Sequence, residues 1–420
     1  MSQLGGGVAV LPAAPVAIRN NDVEHEYRQD SDFHYLTGFD EPESVLVLAT
    51  EHPQHKTVLF VRPRDPEREV WDGARAGVEG AVSEFGADVA YPISELPTKL
   101  PEYLENHEKL LYRLGRDRVF DDKIVAALDA TRMRARRGVT CPTQMIDPAA
   151  LLHEMRLFKS KEEIAAMQRA AAITRDAHVG AMRLAKPGRY EYEVEALLRE
   201  VFRKNGSERP AYAPIVGAGA NATVLHYKSN TKRIEDGDLL LVDAGCEYDY
   251  YASDVTRTYP VSGKFSEAQR AIYQLVLDSQ LAAIAGTRPG ATLEDVHKLA
   301  LDVIVDGLIG LGLLAGDRQK ILGEHLYRPL FMHRTSHWLG MDVHDVGAYF
   351  HAKKARPLQP GMVITVEPGI YIAANNSAVP AAYRGIGVRI EDDILVTPDG
   401  NLNLTADIPK TVSELELACS

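Results

Sequence analysis

The chain has 420 residues, long enough for two hydrophobic cores rather than one. Hydrophobic residues make up 45% and charged residues 25%, which fits an ordinary globular protein and excludes fibrous and disordered classes. The formal charge is 47 minus 59, or −12, so the surface repels phosphate backbones and anionic lipid, and nucleic acid is not an expected partner.

Met1 to Ala17 is mildly apolar but has no basic flank and is broken by three glycines and two prolines, so it reads as mature protein rather than a leader. No run of about 18 apolar residues follows, so no membrane-spanning helix is expected. Cys141, Cys246 and Cys419 are widely spaced and form no CxxC pair, which points away from a disulfide framework or thiolate zinc site and towards a cytoplasmic setting.

From Ser44 to Arg62 two apolar runs flank a polar turn (SVLVLAT, EHPQHK, TVLFVR), the pattern of a strand hairpin. Trp71, in REVWDGARAG, reads from the residues alone as packing or interface. After Met155 the segment LFKSKEEIAAMQRAAAITRDAHVGAMRLAKPG carries apolar residues at helical spacing and stops at Pro187-Gly188. The change of character sets the expected domain boundary here: residues 1–157 form one domain and 158–420 the other.

The second part contains an internal echo. GDLLLVDAG (237–245) aligns with GMVITVEPG (361–369): a glycine turn opens an apolar strand, and an acid, Asp243 or Glu367, ends it just before another glycine. Each copy is followed by a second acid-bearing strand, ASDVTRTYPV with Asp254 and VRIEDDILV with Glu391. An isolated charge in so apolar a run would cost several kcal/mol, about 3–5, so these acids are expected to be paired or coordinated. Two related hairpins then aim four carboxylates at one place.

Four such carboxylates repel one another unless cations intervene. Two divalent ions would cancel the charge, with His337 of HRTSHW as one nitrogen ligand. The oxygen-rich donor set without thiolate favours manganese, with zinc or cobalt as alternatives, and a bridged pair of ions is hydrolytic machinery that acidifies a water and polarises a carbonyl. His226 (LHYKSN), His333 and His344 (MDVHDVG) lie near the ligands in sequence and are suited to donate to an oxyanion or to a leaving amine. Arg389, two residues before Glu391, is expected on the same strand face, orienting the Glu391 carboxylate. Cys246 reads as a small buried filler.

The segments RNNDVEHEYRQDSDFHYLTGFDEPES, DAGCEYDYYASDVTRTYPV, HRTSHWLGMDVHDVG, VEPGIYI and YRGIGVRIEDDILVT together resemble the aminopeptidase P family of the pita-bread metallopeptidases over nearly the whole chain. The resemblance implies an α+β fold of two domains, a creatinase/prolidase-like α/β domain followed by a pita-bread domain with a pseudo-two-fold repeat. It implies metal binding by Asp243, Asp254, His337, Glu367 and Glu391, and removal of the first residue from peptides with proline at position two. It also implies that His226, His333 and His344 line the substrate site, that Glu367 helps take a proton from the attacking water, and that Arg389 and Tyr371 support the metal carboxylates and border the substrate. Trp71 matches the aromatic that closes the proline pocket in relatives, often from a neighbouring subunit, so a dimer or tetramer is expected. A prolidase restricted to Xaa-Pro dipeptides is the alternative, and a binding protein without catalysis a second one, disfavoured with the metal-free creatinase type because all five ligands are present.

Overall fold

The computed structural model describes residues 4–420 and divides into two compact units, Met1–Leu152 and His153–Ser420. In the first, the strand Val8–Pro12 lies in the middle of a six-stranded mixed sheet. It pairs antiparallel with Val45–Ala49 on one side and parallel with Lys109–Leu111 on the other. Val45–Ala49 and Thr57–Val61 form the hairpin expected from the sequence, in antiparallel register from Val45↔Phe60 to Leu48↔Thr57. Val45, Val47, Val58 and Phe60 form one core with the helices Leu96–Leu104 and Arg118–Arg132. Apolar residues on both faces of the central strands explain why these runs read as nearly continuous rather than alternating.

The second unit repeats one arrangement. The helices Lys161–Leu184 and Glu191–Lys204 pack together and precede the sheet of Ile215–Ala218, Leu239–Asp243 and Thr256–Pro260. The helices Glu267–Gly286 and Leu293–Gly310 pack together and precede the sheet of Val363–Val366, Asp392–Thr397 and Gly400–Asn403. Ser160 and Ser266 open the first helix of each half with a capping box, closed by Glu163 and Gln269.

The helical pattern after Met155 is the helix Lys161–Leu184, which starts four residues after Leu157, the last residue of the preceding helix Ala149–Leu157. Apolar periodicity runs through the break, but the Ser160 hydroxyl accepts from Glu163 N at 3.2 Å and the Lys159 amide donates to Gly361 O at 2.9 Å, so the backbone leaves the helix there.

Both echoed segments are antiparallel hairpins. Asp243 stands opposite Thr256 in one, and Val366, just before Glu367, stands opposite Asp392 in the other. The glycines that end each echo answer to close packing. A Cβ on Gly245 would lie 1.7 Å from Ser253 O, and one on Gly369 would lie 2.9 Å from Val388 O and 2.5 Å from the Tyr371 hydroxyl. Gly245→Ala is therefore expected to cost about 1–3 kcal/mol, the usual range for overpacking, seen as an earlier midpoint in urea unfolding; an unchanged midpoint would show that the hairpin can open there without cost.

Candidate metal centre

The hairpin geometry delivers the acids to one cavity of about 800 Å³, whose wall includes Asp243, Asp254, His337, Glu367 and Glu391. Asp243 ends its strand, and Glu367 follows directly on Val366. Asp254 and Glu391 sit just before the return strands Thr256–Pro260 and Asp392–Thr397. The Glu391 amide donates to Thr256 O at 3.1 Å, so the second hairpin is held against the first at the level of the acids.

His337 arrives from a different segment, laid along the second hairpin. Thr365 N donates to His337 O at 3.0 Å and Glu367 N to Thr335 O at 2.8 Å, which fixes His337 and Glu367 side by side. Ligand atoms of Asp254, His337 and Glu391 lie within 4.8 Å of one another. His337 Nε2 is 3.4 Å from Asp254 Oδ2 and 3.7 Å from Glu367 Oε1. Its Nδ1, 2.9 Å from Trp338 O, can only donate there, which leaves Nε2 as the ring nitrogen facing the carboxylates. An imidazole oriented by a backbone carbonyl is how proteins present a histidine to a metal.

The electrostatics fit a cation. Burial, then the charges of Asp254, Glu367 and Asp243, push Glu391 well above the usual carboxylate range. Burial does the same to Glu367, raised to about 7 despite His337 and Arg389. Burial alone would lower His337, yet its hydrogen bond to Asp254 and the charges of Glu367 and Asp254 raise it to about 9. Left to themselves these acids hold protons, and a divalent ion would replace them. The donor set of four carboxylates and one imidazole suits a hard or borderline divalent ion.

Arg389 is placed differently from the sequence expectation. Its guanidinium does not grip Glu391: Nη2 donates to Asp243 Oδ2 at 2.5 Å, Nη1 to the Tyr371 hydroxyl at 3.0 Å and Nε to Thr256 Oγ1 at 3.1 Å. The chain leaves the strand after Arg389, so the two-residue alternation does not carry through to Glu391. Glu391 instead accepts from Thr256 Oγ1 at 2.6 Å, and one threonine links the two groups.

Tyr371 also departs from the border position expected for it. It is buried behind the wall, because its hydroxyl is engaged on both sides, by Arg389 and by His333 Nε2 at 2.9 Å. His333 Nδ1 lies 2.8 Å from Arg334 O and must donate, and burial lowers this imidazole to about 4, so at neutral pH Nε2 accepts from Tyr371. His226, His333 and His344 all line the cavity, and His344 stands edge-on to His337 with ring centroids 4.4 Å apart. Trp71 belongs to the first unit, on the helix Pro66–Asp72, and is 84% exposed. Cys246 is buried, its thiol pushed up to about 11 by burial.

Other supporting groups escaped the sequence reading. The Tyr212 hydroxyl donates to Asp243 Oδ1 at 2.6 Å from 31 residues upstream, and no local pattern marks it. Asp393 accepts from Asp254 N at 3.2 Å and from Ser253 Oγ at 2.9 Å. Arg257, fully buried, donates to Glu391 O at 2.6 Å and to Asp392 Oδ1 at 2.7 Å. Alternation along EDD was the available signal: Asp392 points away from the cavity to Arg257 and Lys410, which hold it at about 2 against the effect of burial. His297 also lines the cavity, with Nδ1 2.8 Å from Thr335 Oγ1.

Residues 165–398 match the model of metallopeptidase family M24, and residues 1–112 that of the aminopeptidase P N-terminal domain. The Xaa-Pro aminopeptidase of Escherichia coli (strain K12) is 46% identical over 412 residues, 98% of this chain and 93% of its own. The chain belongs to the aminopeptidase P branch of metallopeptidase family M24. Its two-domain architecture, with the pita-bread domain C-terminal, is the architecture of this family. The solved structure of Pseudomonas aeruginosa aminopeptidase PepP has a TM-score of 0.97 at 49% identity, covering 99% of this chain and 94% of that one. Zinc-substituted E. coli aminopeptidase P in complex with product has a TM-score of 0.95 at 46% identity, covering 99% and 94%.

A pH test follows for this M24 member. Glu367 and His337 both bind a proton more tightly folded than unfolded, so in chelator-treated protein their stabilisation is present at low pH and is lost as pH rises through about 7 and about 9. The thermal midpoint of the chelated protein should fall across that window, and a saturating divalent cation should abolish the fall. Parallel curves with and without cation would contradict the assignment.

Proposed function

We propose that this chain is a metal-dependent Xaa-Pro aminopeptidase that hydrolyses the bond between the first residue of a peptide and a proline at position two, with tripeptides and longer peptides as substrates. The observation that carries this reading is the convergence of four carboxylates and an oriented imidazole in one cavity beside three further histidines. We assign Asp243, Asp254, His337, Glu367 and Glu391 as the ligands of two divalent ions, manganese by preference and zinc or cobalt as substitutes. Such ions, when bound, would acidify water and polarise the scissile carbonyl.

The chain's own groups supply the rest. Arg389 and Tyr212 hold Asp243 from both oxygens, and each oxygen keeps a further lone pair for a cation. Glu367, held beside His337 at the cavity wall, is the carboxylate placed to take a proton from the attacking water. Burial lowers His344, so at neutral pH it is a neutral imidazole with one N–H to donate to the developing oxyanion. An Xaa-Pro bond has no N–H to be gripped, so the specificity for proline must come from the shape of the cavity.

We further propose a cytoplasmic homo-oligomer, with three free thiols suited to a reducing compartment. Val70 and Trp71 project from the helix Pro66–Asp72, none of whose residues is buried, and such an unpartnered pair suits contact with a neighbouring subunit's proline pocket.

Substrate length is the first test. Purified protein with manganese should cleave an Xaa-Pro-Yaa tripeptide well and an Xaa-Pro dipeptide poorly, and chelator should abolish both activities; dipeptide cleavage alone would make it a prolidase. His344→Ala should lower kcat by about 10²-fold with metal content retained, the scale of a lost oxyanion donor; a loss of metal in step with activity would reassign His344 as a ligand. Trp71→Ala should raise KM for proline peptides and shift the protein to a smaller species in gel filtration. An unchanged KM would remove Trp71 from the pocket.

A further inference from the structure

His226 has no strand or helix of its own. It lies exposed on the segment between Gly219–Thr223 and Asn230, with Leu225 and Lys228, its neighbours on the cavity wall. Such a loop holds a side chain in place only if something beneath it is rigid.

That support is a single carboxylate. Glu191, the first residue of the helix Glu191–Lys204, is fully buried. Its Oε1 accepts from Ala218 N at 2.7 Å and Asn221 Nδ2 at 3.0 Å, and its Oε2 from the Tyr227 hydroxyl at 2.8 Å and Lys232 N at 2.8 Å. Ala218 and Asn221 precede the loop, Lys232 follows it, and Tyr227 is the residue next to His226 within it, so the four donors tie down both flanks and the middle. Four lone-pair sites meet four donors, so the carboxylate is saturated. Among the described residues no cation pairs with Glu191. Its charge is stabilised by these hydrogen bonds and by its place at a helix N-terminus.

We infer that Glu191 is a positioning residue for the peptidase reaction, acting through the loop that presents His226 to the substrate. The inference rests on the proposed role of His226. A carboxylate that latches both flanks and the middle of one loop does more than cap its own helix, since a cap needs only the adjacent amides. Replacing it by an amide keeps the volume but turns an NH₂ towards groups that are themselves donors, which releases part of the loop.

The test is a double-mutant cycle on the metal-loaded enzyme with an Xaa-Pro-Yaa peptide, with metal content measured for every variant. His226→Ala alone should lower kcat/KM by about 10²-fold. Glu191→Gln alone should lower it by about tenfold, but by less than about twofold when His226 is already alanine. A purely structural role would multiply the two losses, and that result overturns the inference while leaving His226 in place. An active His226→Ala enzyme would overturn both readings. Tyr227→Phe guards against misfolding of the Glu191 variant: it removes one donor to Glu191 and releases the exposed Thr231 amide, 3.5 Å from the hydroxyl, to water. It should give a smaller loss that is equally absent in the His226→Ala background, and an additive loss would again overturn the inference.

Discussion

Four carboxylates held close together in a low-dielectric pocket are mutually repulsive, and the rest of the catalytic unit is arranged around that repulsion. Burial and neighbouring charge drive Glu391 and Glu367 towards their protonated forms and hold His337 charged well above neutrality. Without cations the cluster is a store of protons; bound cations would make it the ligand cage proposed for it. Among the described residues only one guanidinium, that of Arg389, reaches a cage carboxylate directly, and it is given to Asp243. The remaining charge is left for a metal, in keeping with the family to which the chain belongs.

The duplicated hairpins are what bring such a cluster together. Each half places one acid at the end of an outgoing strand and one just before the return strand, and the two halves meet where Glu391 N bonds to Thr256 O. Behind the acids a layer of buried groups fixes the backbone that carries them. Arg257 holds the carbonyl of Glu391, Asp393 holds the amide of Asp254, and Thr335 holds the amide of Glu367. A chain of hydrogen bonds from Asp243 through Arg389 and Tyr371 to His333 ties the cage to the substrate side of the cavity. The position of the Asp243 carboxylate and the orientation of His333 are thus coupled by polar contacts that sit in the protein interior, where they are both strong and costly to break.

Much of this was legible in the sequence because period-two alternation and a repeat are local signals. The echo of 237–245 in 361–369, the apolar hairpin at 44–62 and the acids embedded in strands all declare themselves within about a dozen residues. What was not legible depends on distance or on a break in the period. Tyr212 reaches Asp243 from a loop, and Glu191 reaches the His226 loop from a helix start, and neither has a spacing that reveals its partner. The partner of Arg389 was misjudged because the chain leaves the strand before Glu391. The start of the helix Lys161–Leu184, four residues into the apolar pattern, was hidden because the capping Ser160 sets the backbone without interrupting that pattern.

The account stands on cations being held by these five side chains. The most direct measurement is anomalous diffraction from crystals soaked in manganese, collected on either side of the metal's absorption edge. Two peaks bounded by Asp243, Asp254, His337, Glu367 and Glu391 are predicted. An empty cage in catalytically active crystals, or peaks bound elsewhere on the chain, would contradict it.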